Sequence, residues 1–196
     1  MHPEIVSIAL FWFVTAYTPG PNNVVASYSG FNFGIIKTIP HILGVTLGFT
    51  SLVLFLTIGL INVFKLFPII QEVMKYLGTI FLIYLAYKIA FSSTNGSENI
   101  KKPVLFFDTF LFQFINPKGV MVAMIAVSTF IDVQNNYLRD ATIVIITYFF
   151  MAVFSVSSWC LLGKYLRKFA TSKNFIKKFN YTMSFLLIVC VIMFYV

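Results

Sequence analysis

Two polar sequences that contain proline interrupt long apolar stretches of the chain. The first surrounds a glycine with two prolines, and the second sets a proline between an asparagine and a lysine: Thr18, Pro19, Gly20, Pro21, Asn22 and Asn23, then Asn116, Pro117 and Lys118. Proline lacks an amide donor and clashes with the preceding turn of a helix, so each sequence predicts a helix break with freed carbonyls and amides. With the amide side chains and the Lys118 ammonium, these groups are suited to holding a polar ligand.

The apolar surroundings of each break restrict what it can be. Freed carbonyls cannot face lipid, so they are expected to be buried in protein or to line a wet cavity. An ammonium at membrane depth costs about 2.5–3.5 kcal/mol and persists most readily beside a cavity or a partner. Simpler interpretations stay open: residues 18–23 as a packing turn between two short helices, and Lys118 as a side chain that snorkels to an interface or pairs with Asp108.

The composition predicts an integral membrane protein. Of 196 residues, 59% are hydrophobic and only 10% are charged, which is too apolar for the interior of a soluble fold of this size. Fourteen Lys and Arg against six Asp and Glu give a net charge of +8. In a membrane protein such an excess belongs to cytoplasmic loops and anionic lipid, so no nucleic-acid partner is expected.

Few residue types for catalysis or tight metal binding are present. The chain has two histidines and two cysteines, and no paired-histidine metal helix or nucleophile elbow. Cys160 and Cys190 lie in apolar runs and are interpreted as small apolar fillers. We therefore expect no enzyme activity, no catalytic residues, no cofactor and no resident metal.

Hydropathy predicts six spanning helices in one transmembrane domain, residues 1–196. The spans are residues 5–36, 38–64, 68–91, 104–131, 141–163 and 179–196. The breaks fall in the first and fourth spans, which makes two halves, 1–92 and 104–196, joined by a linker at 93–103. Because three spans is an odd number, the second half would insert upside down, as in the inverted repeats of secondary transporters.

Basic residues and small residues add expectations about orientation and packing. Lys and Arg concentrate after the first, third and fifth spans, above all between residues 164 and 178, so both termini are predicted outside. Gly30 with Gly34, and Gly44 with Gly48, have the spacing of close helix contacts, within one chain or in a homo-oligomer. His41 is expected at a membrane interface.

The two proline sequences also carry a resemblance to a known family. Residues 18–22, the four glycines and the run 114–118 are similar to those of the LysE-type amino-acid exporter family (lysine, threonine and homoserine exporters). The segments 75–78 and 84–88 add weaker support. Ala86 stands where the family often has a glycine, and glycines usual in the last helix are replaced around Ser184. These departures leave both breaks intact.

The resemblance implies an all-α, six-helix carrier in the cell (inner or plasma) membrane that exports amino acids or small derivatives, driven by the proton gradient. The nine residues of the two breaks are then the substrate-binding residues, with half-helix N-termini and Lys118 for the carboxylate and freed carbonyls for the ammonium. Asp108 is the candidate for proton coupling, with a helix-end role as its rival. A cation or heavy-metal exporter of related architecture stays open.

Overall fold

The computed structural model describes residues 3–91, 103–132 and 134–195, and within these ranges all regular secondary structure is helical. Most of the predicted linker at 93–103 lies outside the described residues. A π-helical segment, Leu56–Leu60, connects the second and third of eight α-helices. The α-helices are α1 (Pro3–Tyr17), α2 (Pro21–Phe55), α3 (Ile61–Leu66), α4 (Ile69–Ala90), α5 (Phe106–Ile115), α6 (Pro117–Phe130), α7 (Tyr137–Arg167) and α8 (Lys173–Ile192).

Four helical stretches are long and apolar enough to cross a membrane: Pro21–Leu66, Ile69–Ala90, Tyr137–Arg167 and Lys173–Ile192. The pair α5 and α6, bent by 63°, makes a fifth if it counts as one span, and Ile5–Tyr17 is a shorter apolar helix. The chain is therefore an all-α, multi-pass membrane protein. Many large apolar side chains on the outer surface are exposed, such as Leu10, Ile80 and Phe107, which suits contact with lipid.

The longest of these stretches turns back on itself at Gly34. Its 46 residues would reach about 69 Å as a straight helix, more than twice the hydrocarbon thickness. Gly34 has φ 79° and ψ 176°, a conformation that is essentially restricted to glycine. The residues on its two sides face each other: the His41 ring meets the Asn22 carbonyl at 3.1 Å, and Ala26 packs with Ile42. The predicted packing role of Gly34 is therefore wrong, because this glycine makes a turn instead.

The other three glycines of this pattern do allow close helix contacts. Gly30 lies directly against the backbone carbonyl of Cys160 on α7. A Cβ atom at Gly44 or Gly48 would come within 2.6 Å of a carbonyl oxygen of α5. Each of these positions thus lets the backbone of α2 touch a neighbouring helix, which in a membrane replaces the hydrophobic effect as a source of association.

Aromatic packing fills the core beside the helix breaks. Trp12 of α1 is fully buried, with its ring centroid 4.8 Å from that of Tyr148 on α7. Phe49 of α2 stacks on the same tyrosine at 4.1 Å. Such pairs add to the burial of apolar area and hold α1, α2 and α7 at fixed distances.

The two positions that depart from the family pattern lie in contact. The Ser184 hydroxyl on α8 donates a hydrogen bond of 2.8 Å to the backbone carbonyl of Ala86 on α4, and Ala86 is buried. The serine thus supplies a polar contact between two helices at a place where both side chains are small. These departures shape the α4–α8 contact and leave the breaks untouched.

Candidate functional site

The first break separates α1 from α2 at residues 18–20. Thr18 precedes a proline, which disfavours the helical conformation and ends α1 at Tyr17. Gly20 is fully extended, with φ −169° and ψ 174°, and Pro21 is the first residue of α2. A proline at this position costs little because the first amides of a helix have no helical partner in any case.

The second break separates α5 from α6 at a single residue. Asn116 precedes Pro117 and is extended, with φ −84° and ψ 103°. Pro117 is the first residue of α6, as Pro21 is of α2. Both sequence-predicted breaks are confirmed as interruptions of helix, and both restart on a proline.

The two breaks are in direct contact through Lys118. Its ammonium donates hydrogen bonds to the Thr18 hydroxyl at 2.8 Å and to the carbonyls of Thr18 and Pro19, each at 3.3 Å. A Cβ atom at Gly20 would lie 3.0 Å from the same nitrogen. Lys118 therefore binds the first break, where the sequence left open an interface position or a pair with Asp108.

A cavity of about 60 Å³ lies where the breaks meet. Its walls come from α1, α2, α6 and α7 and combine amide, hydroxyl and aromatic side chains with the Lys118 chain. They include Thr15, Gly20, Pro21, Asn22, Asn23, Phe49, Asn116, Lys118, Gly119, Tyr148 and Ser155. Since one water needs about 10–15 Å³ of cavity volume, the cavity has room for a few waters or a small polar group.

Side chains satisfy the carbonyls that the first break frees. The Asn23 amide donates to the carbonyls of Ala16 at 2.7 Å and Thr18 at 3.0 Å. The Ser155 hydroxyl of α7 donates to the same Ala16 carbonyl at 2.8 Å. Asn23 thus closes the break from within α2, and Ser155 fastens it to α7, as expected for non-helical backbone in an apolar environment.

A reciprocal amide pair connects the first break to α5. The Asn22 amide donates to the Gln113 side-chain oxygen at 2.8 Å, and the Gln113 amide donates back at 3.1 Å. Gln113 also donates to the Thr109 carbonyl at 2.7 Å and is fully buried. Polar contacts therefore join the two breaks through Lys118 and join the first break to α5 through Gln113.

One buried acceptor at the cavity has no partner within the described part of the chain. The side-chain oxygen of Asn116 makes no hydrogen bond, although Asn116 is only 3% exposed. Leaving such a group unpaired costs about 1–3 kcal/mol, so this oxygen is a ready acceptor for a ligand donor. The N-termini of α2 and α6, at Asn22 and at Gly119, reach the same cavity.

His41, predicted at a membrane interface, is completely buried within the protein. Its Nε2 atom meets the Asn22 carbonyl at 3.1 Å, across the turn at Gly34. The turn folds the second part of α2 against the first and carries His41 to the polar cluster around the break. The neighbouring Lys37 had indicated a membrane surface at this position.

Four other sequence-predicted residues do not line the cavity. Thr18 and Pro19 are connected to it only through their hydrogen bonds with Lys118, and Pro117 and Asp108 lie elsewhere. Pro117 belongs to the opposite face of the break, where it lines a second, larger groove. Asp108 is exposed in the first turn of α5, where its carboxylate accepts a hydrogen bond of 3.4 Å from the Leu105 amide. This is the helix-end role.

Metal ligation has little support in the described residues. Across 3–91, 103–132 and 134–195, no three His, Cys, Asp or Glu side chains cluster to hold an ion. Cys160 and Cys190 are both buried and unpaired with each other. They lie on α7 and α8, in contact with apolar neighbours.

Sequence reasoning missed three residues that complete the site: Gln113, Tyr148 and Ser155. Tyr148 and Ser155 lie on α7, which contains no break, and Gln113 lies on α5, three residues before the second break, so local sequence does not connect any of them with residues 18–23. Gln113 carried a usable signal, because a lone amide inside the apolar run of α5 needs a partner. Tyr148 and Ser155 lie in α7 among similar aromatic and hydroxyl residues, and only packing selects them.

Comparison with known proteins gives a family over most of the chain. The family model described as LysE type translocator matches residues 13–196. Similar proteins include the cysteine/O-acetylserine efflux proteins of Escherichia coli O139:H28 (strain E24377A / ETEC), 29% identical, and of Escherichia coli (strain K12), 28% identical, each alignment covering 98% of both chains. A protein with that description from Shigella flexneri serotype 5b (strain 8401) is 27% identical over 95% of this chain and 96% of its own length. No solved structure matches the chain.

The match to the family model includes both helix breaks and every helix from α2 onward. Proteins of this family are translocators, so the molecule is a transporter and not an enzyme. By its sequence, its apolar helices and the two breaks that meet at the cavity, the chain belongs to the LysE type translocator family.

Proposed function

We propose that the chain is a secondary transporter that exports amino acids or small amino-acid derivatives from the cytoplasm. The observation that carries this proposal is the meeting of two proline breaks around one polar cavity. Interrupted helices that meet in this way are the usual binding site of secondary transporters. The relatives named for cysteine and O-acetylserine efflux support the same class of substrate.

The substrate carboxylate binds at the N-termini of α2 and α6. Both helices begin on a proline, so the amides that follow, at Asn22 and at Lys118–Gly119, are available to an anion at the positive end of each helix dipole. The Lys118 ammonium lies beside these amides and adds a charge-assisted hydrogen bond. A neutral ligand would gain much less from this arrangement.

The substrate ammonium binds at the acceptors of the two breaks. The unpaired Asn116 oxygen is one of them, and the carbonyls of Thr18 and Pro19 are two more. Lys118 holds these carbonyls in the structure, and an α-ammonium offers the same three donors. A carboxylate that draws Lys118 toward itself frees the carbonyls for the substrate ammonium, so binding of one end of the substrate prepares the site for the other.

A small substrate fits this cavity better than a large one. About 60 Å³ accommodates the polar end of an amino acid with a short side chain, next to Phe49 and Tyr148. The two substrates that the relatives' names give, cysteine and O-acetylserine, both have short side chains. A bulky aromatic amino acid would require the aromatic wall to move.

The architecture that serves this transport is six spans in two inverted halves, 1–92 and 104–196. The turn at Gly34 divides α2 between two spans. The first span consists of α1 and the part of α2 before Gly34, and the second consists of the part after Gly34 and α3. The bent pair α5–α6 is then the fourth span, and each half begins with a broken helix. The basic connection between α7 and α8 favours an orientation with both termini outside.

Export by this route is coupled to the proton gradient. Asp108 is not the coupling residue in this proposal, because it is exposed and its carboxylate accepts a hydrogen bond at the start of α5.

The heavy-metal alternative is not favoured. The described residues hold no cluster of metal ligands, and the similar proteins are named for the efflux of cysteine and O-acetylserine.

Efflux from proteoliposomes tests the proposal. Vesicles containing the purified protein are loaded with a mixture of amino acids, and the loss of each compound is followed with and without an imposed pH gradient. Selective loss of one or two short amino acids, faster with the gradient, is expected. Retention of every amino acid under both conditions would refute export, and an equal rate with and without the gradient would refute proton coupling alone.

Lys118→Met tests the assignment of the site. Losing a charged hydrogen-bond partner of the substrate costs about 1.5–3 kcal/mol, which lowers efflux below saturation about tenfold to a hundredfold. Lys65→Met, at the exposed end of α3, is the matched control and retains efflux. Wild-type efflux from Lys118→Met would defeat the assignment while leaving the class of function open.

A further inference from the structure

A second cavity lies on the other side of α6. It is a groove of about 540 Å³ between α4, α6 and the end of α8. Its walls are largely apolar, with Met74, Met121, Met124 and Phe194, and its polar groups include Glu72 and Lys75. This volume falls in the range of small-molecule sites.

The second break separates the groove from the first cavity. Asn116, Lys118 and Gly119 line the first cavity, whereas Pro117 and Val120 line the groove. Neighbouring residues of one short segment thus face two cavities. A movement of residues 116–118 that opens the first cavity toward α4 would join the two spaces.

The groove carries charges of both signs close together. Glu72 and Lys75 are three residues apart on α4, so their side chains leave one face of the helix about 5–6 Å apart at the Cβ atoms. The Lys75 ammonium lies 4.0 Å from the centre of the Tyr195 ring, which holds it at the edge of the groove. The groove thus offers a carboxylate that can accept hydrogen bonds from the ammonium of a free amino acid and an ammonium that can donate to its carboxylate.

The charged and hydroxyl side chains of the groove lie at one end of the molecule. Glu72 is in the first turn of α4, and Ser128 and Thr129 are in the last turn of α6, next to the connection that leads to α7. With both termini outside, as proposed above, this end faces the exterior. The groove therefore extends from the second break to the outer surface.

We infer that this groove is a second amino-acid site, the exit vestibule that receives the substrate from the central cavity and releases it outside. The inference rests on the proposed function and adds Glu72 and Lys75 as residues that bind the zwitterion. The vestibule is about nine times larger than the central cavity and its lining is more apolar, so it binds the substrate more weakly and favours release.

Cysteine modification tests the vestibule. In a background with Cys160→Ala and Cys190→Ala, Ser128→Cys places a thiol in the groove with almost no change of shape, and Leu138→Cys places one on the exposed start of α7 at the same end. A charged, water-soluble thiosulfonate is added outside proteoliposomes, with or without the amino acid that the cysteine-free protein exports. Reaction rate and efflux are both measured.

Ser128→Cys is expected to react, to lose at least fivefold in efflux after modification, and to react at least threefold more slowly with excess amino acid outside. Leu138→Cys reacts without either effect. Adding Glu72→Gln to Ser128→Cys raises the amino-acid concentration needed for protection several-fold. The vestibule inference is wrong if modification of Ser128→Cys leaves efflux unchanged. It is also wrong if added amino acid does not slow the reaction of this cysteine.

Two further outcomes distinguish the vestibule from a lipid-filled groove and from a failure of the proposed function. If Ser128→Cys reacts only with a membrane-soluble maleimide, the groove holds lipid and the inference is wrong. If the cysteine-free protein itself exports no amino acid, the proposed function fails, and the vestibule fails with it. Normal efflux without protection at Ser128→Cys rejects the vestibule alone.

Discussion

The amide pair between Asn22 and Gln113 should stabilise the fold measurably and hold the first break in its transport-competent position. Two neutral hydrogen bonds, at 2.8 and 3.1 Å, join these side chains. Bonds of this kind contribute about 0.5–1.5 kcal/mol each, and those measured between membrane helices average about 0.6 kcal/mol. The coupling energy of the pair is therefore expected at about 1–2 kcal/mol.

A double-mutant cycle measures this coupling. The free energy of unfolding is determined for the wild type, Asn22→Ala, Gln113→Ala and the double variant, by titration with a denaturing detergent in mixed micelles. Each single variant also leaves one amide of the pair without its partner, the fully buried Gln113 or the half-buried Asn22, so the double variant should be more stable than additivity predicts. Efflux per folded protein should fall in all three variants.

The Asn32–Asn180 contact provides a matched control. It joins the side chains of α2 and α8 by a hydrogen bond of 3.0 Å, ten residues and about 15 Å farther along α2 than Asn22. Alanine at these positions should lower stability and leave efflux per folded protein unchanged. If the unfolding free energies of Asn22→Ala and Gln113→Ala add within about 0.3 kcal/mol, the two side chains are not coupled. If efflux falls equally in the Asn22–Gln113 and Asn32–Asn180 variants, the first pair has no special role in transport.

Three further variants probe the turn and the cavity. Gly34→Ala should lower the free energy of unfolding by about 1–3 kcal/mol, since φ 79° with ψ 176° is strained for any other residue; a thermal melt with no shift would contradict this. Gly119→Ala should leave stability nearly unchanged, because its Cβ meets Phe49 at an ordinary 3.4 Å, yet raise the substrate concentration for half-maximal efflux; an unchanged value would show that no substrate reaches this wall. His41→Leu should cost about 0.5–1.5 kcal/mol by removing the hydrogen bond between the ring and the Asn22 carbonyl, to be checked by detergent unfolding against Ile42→Leu.

The helix breaks were predictable because proline acts locally. A pyrrolidine ring removes a donor and restricts the preceding residue whatever the rest of the chain does, so residues 18–21 and 116–117 interrupt helices as expected. Their mutual contact followed from the symmetry of the six-span prediction and from the need of Lys118 for a partner. The direct hydrogen bonds from Lys118 to Thr18 and Pro19 confirm that contact.

The remainder of the site depends on how helices rotate against each other. A boundary near Lys37 was expected from its charge, but the turn occurs at Gly34, where only glycine tolerates the backbone conformation. The helix that follows the turn packs against the first part of α2, where His41 is buried beside the Asn22 carbonyl. Ser155 and Tyr148 enter through α7, whose apolar pattern is the same on faces toward lipid and toward protein.

The dihedral angles of the first break limit how the transporter can move. Pro19 and Pro21 have φ fixed by their rings, so Gly20 is the one residue between them whose φ rotates freely. Gly20 also faces the Lys118 ammonium, so its rotation and the release of that lysine are mechanically linked. Gly20, together with the ψ angles of Thr18 and Pro19, is therefore where α1 can reorient relative to α2, and the ammonium that faces Gly20 can restrict that rotation.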